Sequence, residues 1–241
     1  MSHNIFLSIV IPAFNEEKRL PSTLEATIEY LNKQQYSSEI IVVSDGSFDK
    51  TKESAEYFQE TFSELKVIEY FPNKGKGTAV KIGMLEAVGQ LRLFMDADLA
   101  VPLSCLSSFV KATENGSNIA IGSRALDKSV VINGQNFFRM SLGKIYGMLL
   151  RLTTGLKFKD TQCGFKLFTG VSAEKVFSQA NIPHQLFDAE ILLLAKEMKI
   201  SVKEIPIKWR HDEESRLTYG FIGSLWVLKE LWGLKKMVKR K

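Results

Sequence analysis

The chain has 241 residues, of which 45% are hydrophobic and 24% are charged. This composition is ordinary for a globular protein and argues against an intrinsically disordered chain. The two cysteines, Cys105 and Cys163, lie far apart and the three histidines are scattered, which argues against a zinc site and a disulfide framework and fits a reducing compartment. The first residues lack the basic start and long apolar run of a secretory signal.

The net charge of +5 belongs to the C-terminal end of the chain. Residues 229–241 contain six basic side chains and one acidic side chain, so residues 1–228 sum to zero. The apolar run before them, Leu217 to Leu228, is too short to span a membrane. The pattern is typical of a segment on an anionic membrane surface, and equally of a surface helix with a solvated tail. Taking the first of these two interpretations, we predict a globular domain over 1–216 and an amphipathic, basic, membrane-associating segment over 217–241.

The first half of the chain alternates short apolar runs with amphipathic ones. This repetition predicts an α/β fold with a mostly parallel, Rossmann-like sheet flanked by helices. In such sheets, ligands bind at the carboxyl ends of the strands. The predicted strands cover residues 6–11, 39–43, 65–70 and 91–95, and the predicted helices cover 16–32, 50–62 and 77–88.

Polar residues follow each predicted strand, so we expect their side chains at one edge of the sheet. Carboxylates, lysines and glycines that converge there suit a nucleotide with a diphosphate and a metal ion. The loops match neither a Walker A sequence nor a dinucleotide-binding fingerprint, which disfavours a P-loop ATPase and a dehydrogenase. Turn chemistry explains each loop singly, but not four loops in strand order. In that order, the loops contribute Asn15 and Glu16; Asp45 and Asp49; Asn73, Lys74 and Lys76; and Asp96 and Asp98.

Asp96 and Asp98 stand one residue apart directly after the fourth predicted strand. Two carboxylates at this spacing can both reach one hard cation, Mg2+ or Mn2+, which would in turn bind a diphosphate. The alternative is that Asp96 caps the following segment and Asp98 is solvated. The ammonium groups of Lys74 and Lys76 are further candidates for binding phosphate.

Four motifs at these loops resemble those of the family 2 glycosyltransferases, which have the GT-A fold. They are Ile-Val-Ile-Pro-Ala-Phe-Asn-Glu-Glu, Val-Val-Ser-Asp-Gly-Ser, Asn-Lys-Gly-Lys-Gly-Thr-Ala and Asp-Ala-Asp. Three further motifs narrow the resemblance to one branch of the family. They are Gly-Ser-Arg at 122–124, Asp-Thr-Gln-Cys-Gly-Phe-Lys at 160–166 and Phe-Asp-Ala-Glu at 187–190. These three are similar to the dolichyl-phosphate glucosyltransferase branch, beside the polyprenyl-phosphate mannosyltransferases.

The resemblance implies a role for individual residues of a catalytic GT-A domain. Asp96 and Asp98 would hold the metal ion, and Asp45 would lie near the nucleotide base. One departure leaves the identity of the nucleotide base undecided, because this chain has Ser44-Asp45 where many relatives have two acidic residues. The residues implied to contact the nucleotide sugar are Pro12, Ala13, Glu16, Asp45, Lys74, Lys76, Asp96 and Ala97.

The activity implied is that of an inverting transferase that moves a hexose onto a dolichyl or polyprenyl phosphate for protein glycosylation. Glucose from UDP-glucose is the favoured hexose. A polyprenyl-phosphate mannosyltransferase and a family 2 enzyme with a non-lipid acceptor are alternatives. A nucleotidyltransferase and a non-catalytic membrane-binding module are rivals from other classes. No apolar anchor precedes Ser8, although eukaryotic relatives carry one, which implies a bacterial or archaeal enzyme on the cytoplasmic face of the membrane. No nucleic-acid partner is expected.

A phosphate monoester has a second pKa of about 6, so an acceptor of this kind is largely dianionic at neutral pH and needs no strong base. It needs cations that bring two repelling phosphates together, and arginine's fork suits this. Arg124 and Arg139 are the candidates, and the resemblance points to the same two. It also places Asp188 near the reacting centre, as a base or an orienting group; the alternative is an N-cap for a helix over residues 189–198.

Residues 137–151 predict a helix with a basic stripe on an otherwise apolar surface. This pattern is typical of an interfacial helix beside a lipid acceptor, and equally of a helix that faces the core. By analogy with relatives, Trp209, Ser215 and Arg216 would lie on a loop that folds over the donor.

Overall fold

The computed structural model describes residues 5–132, 147–184 and 186–210. The strands are β1 (Leu7–Ala13), β2 (Ser38–Asp45), β3 (Leu65–Tyr70), β4 (Leu91–Met95), β5 (Ile119–Ser123), β6 (Val130–Ile132), β7 (Phe165–Thr169), β8 (Val202–Pro206) and β9 (Lys208–Arg210). The helices are α1 (Leu20–Asn32), α2 (Thr51–Glu56), α3 (Lys76–Glu86), α4 (Leu106–Glu114), α5 (residues 147–154), α6 (Gly170–Gln179) and α7 (Phe187–Glu197).

Seven strands form the main sheet in the order β3-β2-β1-β4-β7-β5-β8. Parallel pairing joins β3 to β2, β2 to β1, β1 to β4 and β5 to β8. The mostly parallel sheet predicted from the sequence is therefore confirmed. The short strands β6 and β9 pair separately, also in parallel.

Strand β7 departs from the parallel pattern, because it runs antiparallel to both of its neighbours, β4 and β5. Its first residue, Phe165, lies opposite Met95, the last residue of β4. The segment that leads into β7 therefore lies at the carboxyl edge of the sheet, where β4 ends and Asp96 follows. In this way residues 160–164 reach the site that the first four strands build.

Apolar side chains cover both faces of the sheet, as the doubly wound arrangement requires. Along β1, Val10 packs on the face covered by α3, α6 and α7, whereas Ile9 and Ile11 pack on the face covered by α1 and α4. Because both faces are buried, the strands read as continuous apolar runs in the sequence. The carboxyl ends of the strands remain as the part of the sheet open to a ligand.

The predicted bounds of several elements were wrong by a few residues. Helix α1 begins at Leu20 rather than Glu16, because Pro21 has no backbone N–H to donate and fits the first helical turn. The second helix ends at Glu56 and continues only as a 3-10 turn to Glu60. Strands β1 and β2 extend two residues further than predicted, to Ala13 and Asp45.

Some predictions fall outside the described residues. These are the segment over 217–241, the boundary at 216, Arg139, Ser215 and Arg216, and most of the predicted helix over 137–151. Its last residues, 147–151, are helical and begin α5. Within the described parts of the chain, no helix is both long enough and apolar enough to cross a bilayer.

Candidate active site

The carboxylate of Asp45, at the end of β2, is held by the loop that follows β3. It accepts hydrogen bonds from the backbone N–H groups of Lys74 (2.7 Å) and Gly75 (2.8 Å) and from the side-chain amide of Asn73 (3.0 Å). Burial and the nearby Asp45 carboxylate raise the pKa of the Tyr70 phenol, which stays protonated. The loop that carries the two candidate phosphate-binding lysines is thus fixed to the end of β2.

Two glycines allow this close approach. Gly46 has a φ of +66°, and a Cβ there would lie 2.5 Å from the backbone nitrogen of Asn73. Gly75 has a φ of +94°, and a Cβ there would lie 2.4 Å from the carbonyl oxygen of Pro183. Both positions combine a left-handed backbone with no room for a side chain. The loop after β3 is therefore wedged between the end of β2 and the segment before α7.

Asp96 and Asp98 follow β4 at the same edge, as predicted. The Asp96 carboxylate lies over Gly164, where a Cβ would stand 2.0 Å from Oδ2, and the Asp96 N–H donates to the Gly164 carbonyl (3.1 Å). Asp98 Oδ1 accepts a hydrogen bond from the N–H of Ala100 (3.0 Å). Burial, and then the charge of Asp96, raise the pKa of the Asp98 carboxyl. The pair is thus a site of excess negative charge.

These two carboxylates suit a divalent cation. Among the described residues, no group of three or more histidine, cysteine, aspartate or glutamate side chains could hold a metal ion, so Asp96 and Asp98 would supply two ligands. Mg2+ and Mn2+ are commonly bound in this way, with one or two carboxylates and with substrate phosphates and waters completing the shell. The donor set therefore fits a metal ion that arrives together with a diphosphate.

Lys76, the first residue of α3, forms an ion pair with Asp96 Oδ1. Burial alone would lower the pKa of the Lys76 ammonium, but the charges of Asp96, Asp188 and Asp98 outweigh it and raise the pKa. Lys76 is therefore a permanent cation among three carboxylates. Its side chain is 39% exposed, so a ligand can reach it.

Asp188 lies beneath this cluster, in the first turn of α7, and forms an ion pair with Lys166 of β7. Lys166 is fully buried, donates to the Cys163 carbonyl (2.6 Å) and lies 5.2 Å from the centre of the Phe94 ring. Burial raises the pKa of the Asp188 carboxyl by more than the charges of Lys166 and Lys76 lower it. Helix α7 begins at Phe187 with Leu186 as its N-cap residue, so the N-cap alternative for Asp188 is wrong.

Arg124, directly after β5, is held by the first residue of the motif at 160–166. Its Nε and Nη2 donate to the two oxygens of Asp160 at 2.7 and 3.0 Å, and its backbone N–H donates to the same carboxylate at 3.0 Å. Burial raises the pKa of Asp160, but these hydrogen bonds and the Arg124 charge outweigh it, so the pKa is lowered. The guanidinium also lies 5.4 Å from the ring centre of Trp209. Arg124 is thus oriented before any ligand binds.

The structure brings most of the predicted residues to one edge. A cleft is lined by Asp96, Asp98, Gly164 and Trp209 together with neighbouring apolar residues. The Trp209 ring that lines this cleft also contacts the Arg124 guanidinium, and Asp96 forms its ion pair with Lys76. Carboxylates, a lysine and an arginine that are separated by whole helices in the sequence are therefore linked by contacts with the residues of one cleft.

The remaining predicted nucleotide-sugar residues surround this edge. Pro12 and Ala13 end β1 in register with Val43 and Ser44 of β2, and both are buried. The Ala97 carbonyl accepts a hydrogen bond from Thr23 of α1 (2.6 Å).

Glu16 and Lys74 differ in how far they are already bound by the protein. The carboxylate of Glu16 accepts two hydrogen bonds from Arg19, at 2.6 and 2.7 Å. Lys74 is exposed, and its ammonium lies 5.2 Å from the centre of the Tyr70 ring. Lys74 can therefore turn toward a ligand more freely than Glu16 can.

Sequence reasoning placed Trp209 on a loop, and that prediction was wrong, because Trp209 is the middle residue of β9. It also missed the roles of Asp160, Gly164 and Lys166, although the motif that contains them was singled out. A signal was present for Lys166, since a lysine within the apolar run Phe-Lys-Leu-Phe needs a buried partner. The sequence contains no comparable signal for the contact between Gly164 and Asp96, which depends on the antiparallel course of β7.

The family model of glycosyl transferase family 2 matches residues 8–177 of the chain. The chain is 37% identical to a dolichyl-phosphate beta-glucosyltransferase of Trichomonas vaginalis, over 88% of this chain and 68% of that protein. It is 36% identical to the human dolichyl-phosphate beta-glucosyltransferase, over 88% of this chain and 69% of that protein.

Solved structures show the same fold. Glucosyl-3-phosphoglycerate synthase of Mycobacterium tuberculosis, in a complex with Mn2+, UDP-glucose and phosphoglyceric acid, superposes with a TM-score of 0.67 at 15% identity, covering 98% of this chain and 80% of that one. TarS of S. aureus, in a complex with UDP-GlcNAc, gives a TM-score of 0.60 at 18% identity, covering 96% and 66%.

The match to the family model and the similarity to curated relatives agree with the motifs, and the superpositions agree with the α/β fold. They decide between the classes that the sequence left open, against a nucleotidyltransferase and a non-catalytic module. The chain belongs to glycosyl transferase family 2 and is a glycosyltransferase with the GT-A fold.

Proposed function

We propose that this enzyme transfers glucose from UDP-glucose to a polyprenyl or dolichyl phosphate, with inversion at the sugar C1 and with Mg2+ or Mn2+ bound at Asp96 and Asp98. One observation carries the proposal: the acidic pair lines a cleft together with Trp209, and the ring of Trp209 contacts the oriented Arg124. A diphosphate and a second phosphate are the ligands that such opposed charges accommodate. The names of the relatives supply the choice of glucose and of a lipid phosphate.

The donor would lie along the edge formed by β1, β2 and β4. Pro12, Ala13 and Asp45 would line the nucleotide end, and Lys74 and Lys76 would face the diphosphate. When bound, the divalent ion supplies charge stabilisation to the leaving diphosphate. Lys76 would add its ammonium charge to the same oxygens as the bond from C1 to the diphosphate breaks.

The acceptor phosphate would approach from the side of Arg124. With Nε and Nη2 bound to Asp160, the guanidinium can offer the remaining N–H groups of its fork to phosphate oxygens. Arg139, proposed from the family resemblance alone, would add a second cation. One phosphate oxygen then attacks C1 from the face opposite the diphosphate, forming the new bond to C1 as the old one breaks, which inverts the configuration.

Asp188 would orient rather than accept a proton in this reaction. A phosphate dianion already carries the attacking charge, so no base is needed, and Asp188 is buried and paired with Lys166. Of the two roles that the sequence left open, the geometry supports the orienting one. Asp188 would act through Lys76, whose pKa is raised by the nearby Asp188 charge.

A lipid acceptor implies a membrane surface near Arg124, and exposed apolar residues support one. Val130, Val131 and Ile132 of β6 are exposed by 42–48%. Met148 and Leu152, one helical turn apart on α5, are exposed by 49% and 74%. These residues flank the segment that contains Arg139. We propose that these exposed apolar residues, together with residues 217–241, attach the enzyme peripherally to the cytoplasmic face of the cell membrane.

The test is a transfer assay with the purified full chain, Mn2+, radiolabelled UDP-glucose and a short polyprenyl phosphate in detergent. We expect label in the organic extract, dependent on the lipid phosphate and abolished by a chelator. GDP-mannose and UDP-GlcNAc at equal concentration serve as matched donors. Product from GDP-mannose alone would favour the mannosyltransferase alternative, and product without the lipid would favour a non-lipid acceptor.

A further inference from the structure

The Lys76 ammonium lies against the carboxylate that we assign to the metal ion. We propose that Lys76 is a built-in counter-ion of the metal site: it neutralises Asp96 while the site holds no metal, disfavours a metal ion alone, and turns to the diphosphate when metal and donor arrive together. This inference rests on the proposed function, because it takes Asp96 and Asp98 as metal ligands.

The backbone fixes where Lys76 starts. The glycine before it, Gly75, leaves no room for a side chain against Pro183, and a Cβ on the glycine after it, Gly77, would lie 2.2 Å from the carbonyl oxygen of Ile182. The Gly77 N–H also donates to the Pro183 carbonyl (2.8 Å). The first turn of α3 is thus packed directly on the segment that leads to α7. Only the side chain of Lys76 is left to move.

The other end of the ion pair is fixed as well. The Asp96 N–H is bound to Gly164, and its carboxylate lies over the Cα of the same glycine. The Lys76 and Asp96 side chains remain 39% and 34% exposed, so the pair is reachable from the cleft. An exposed, prealigned pair of this kind can exchange partners without rearranging the fold.

The charges of the cluster explain why the exchange needs both ligands. Three carboxylates, Asp96, Asp98 and Asp188, face two ammonium groups, and Lys166 is committed to Asp188 in the core. One negative charge is left over. A divalent ion alone would make the cluster positive and repel Lys76, whereas a divalent ion with the two negative charges of a diphosphate restores the balance. The diphosphate also gives the displaced ammonium a new anionic partner.

The test measures Mn2+ binding to the full chain by the loss of the free-ion electron paramagnetic resonance signal, with no nucleotide and with UDP. Removing a unit charge a few ångströms from a divalent ion should raise nucleotide-free Mn2+ affinity at least about tenfold in Lys76→Met. Lys76→Gln should behave alike, and Lys76→Arg, which keeps the charge, should bind as weakly as the wild type. The matched control is Lys74→Met, which removes the same charge from the same loop but no contact with Asp96.

Thermal unfolding of each variant checks that it is folded. Equal nucleotide-free affinity in wild type, Lys76→Met and Lys76→Gln would overturn the inference, and so would an equal gain in Lys74→Met. Either result could stand beside normal transfer to the lipid, so it would leave the proposed function intact. If UDP and Mn2+ together fail to bind the wild type, the metal assignment and this inference both fail.

Discussion

The two sides of the cleft are built in opposite ways. On the side that we propose for the donor, the acidic pair Asp96 and Asp98 carries more negative charge than Lys76 neutralises. On the side that we propose for the acceptor, two nitrogens of the Arg124 guanidinium already donate to the buried Asp160. The donor side thus has unneutralised negative charge that a ligand can bind, whereas the acceptor side has a cation whose orientation is already fixed. We expect activity to fall on the donor side when a charge is removed, and on the acceptor side when Arg124 loses its fixed orientation.

Removing one donor-side charge should give the largest effect. In Asp98→Asn we expect kcat to fall by about three orders of magnitude. The metal ion loses a carboxylate ligand, and the leaving diphosphate loses part of the charge stabilisation that the metal ion supplies. Stability should not fall: burial and Asp96 raise the pKa of folded Asp98, so its ionised form costs stability at neutral pH. The transfer assay and thermal unfolding measure the two effects.

The matched control is Asp127→Asn, since this aspartate side chain is 98% exposed and should tolerate the same change. Full activity of Asp98→Asn with unchanged dependence on Mn2+ would contradict the metal assignment.

Breaking the buried pair beneath the site should cost mainly stability. Lys166→Met leaves the Asp188 carboxylate buried without its partner, and we expect a loss of about 3 kcal/mol or more in the free energy of unfolding. The double variant Lys166→Met with Asp188→Asn should recover part of this loss, because no buried charge remains unpaired. Urea unfolding of the four proteins of this cycle gives the coupling. Additive losses would show that the two side chains do not depend on each other.

The acceptor side should respond to loss of orientation with a smaller effect. In Asp160→Asn, Arg124 keeps its charge but loses its carboxylate partner. We expect kcat/KM for the lipid phosphate to fall by about 10- to 100-fold, with Mn2+ and UDP binding unchanged. The lowered pKa of Asp160 means that it stabilises the fold above its unfolded pKa. The difference in Tm between wild type and Asp160→Asn should therefore shrink as the pH falls through the acidic range. A loss of UDP affinity instead would place Arg124 on the donor side.

This contrast also explains what the sequence could predict. The common position of the proposed donor-side residues was predictable, because each of them follows an apolar strand and parallel strands end at the same edge. Asp45, Lys76 and Asp96 were assigned in this way. The acceptor side was not, because it depends on β7 running antiparallel between β4 and β5, and the register that places Gly164 on Asp96 has no local pattern. The family resemblance pointed to Arg124, but its partner Asp160 emerged only from the structure.

The smallest effect is a chemical one. Cys163 is buried in the acceptor-side segment, and burial raises the pKa of its thiol to about 12, so little thiolate is present at neutral pH. Cys105 is partly exposed. We expect a thiol reagent to modify Cys105 first in the native protein and Cys163 only after unfolding, as mass spectrometry of tryptic peptides would show. Equally fast reaction of Cys163 would mean that the segment around Asp160 opens readily.

The central claim is that a cation between Asp96 and Asp98 joins the donor diphosphate to the edge that also holds Asp45 and Arg124. Crystals grown with Mn2+ and UDP-glucose, measured at a wavelength where manganese scatters anomalously, test it most directly. We expect one strong anomalous peak roughly 2.0–2.3 Å from oxygens of both carboxylates and of the diphosphate, with the base beside Asp45. A peak that contacts neither carboxylate, or a diphosphate bound away from this edge, would contradict the account.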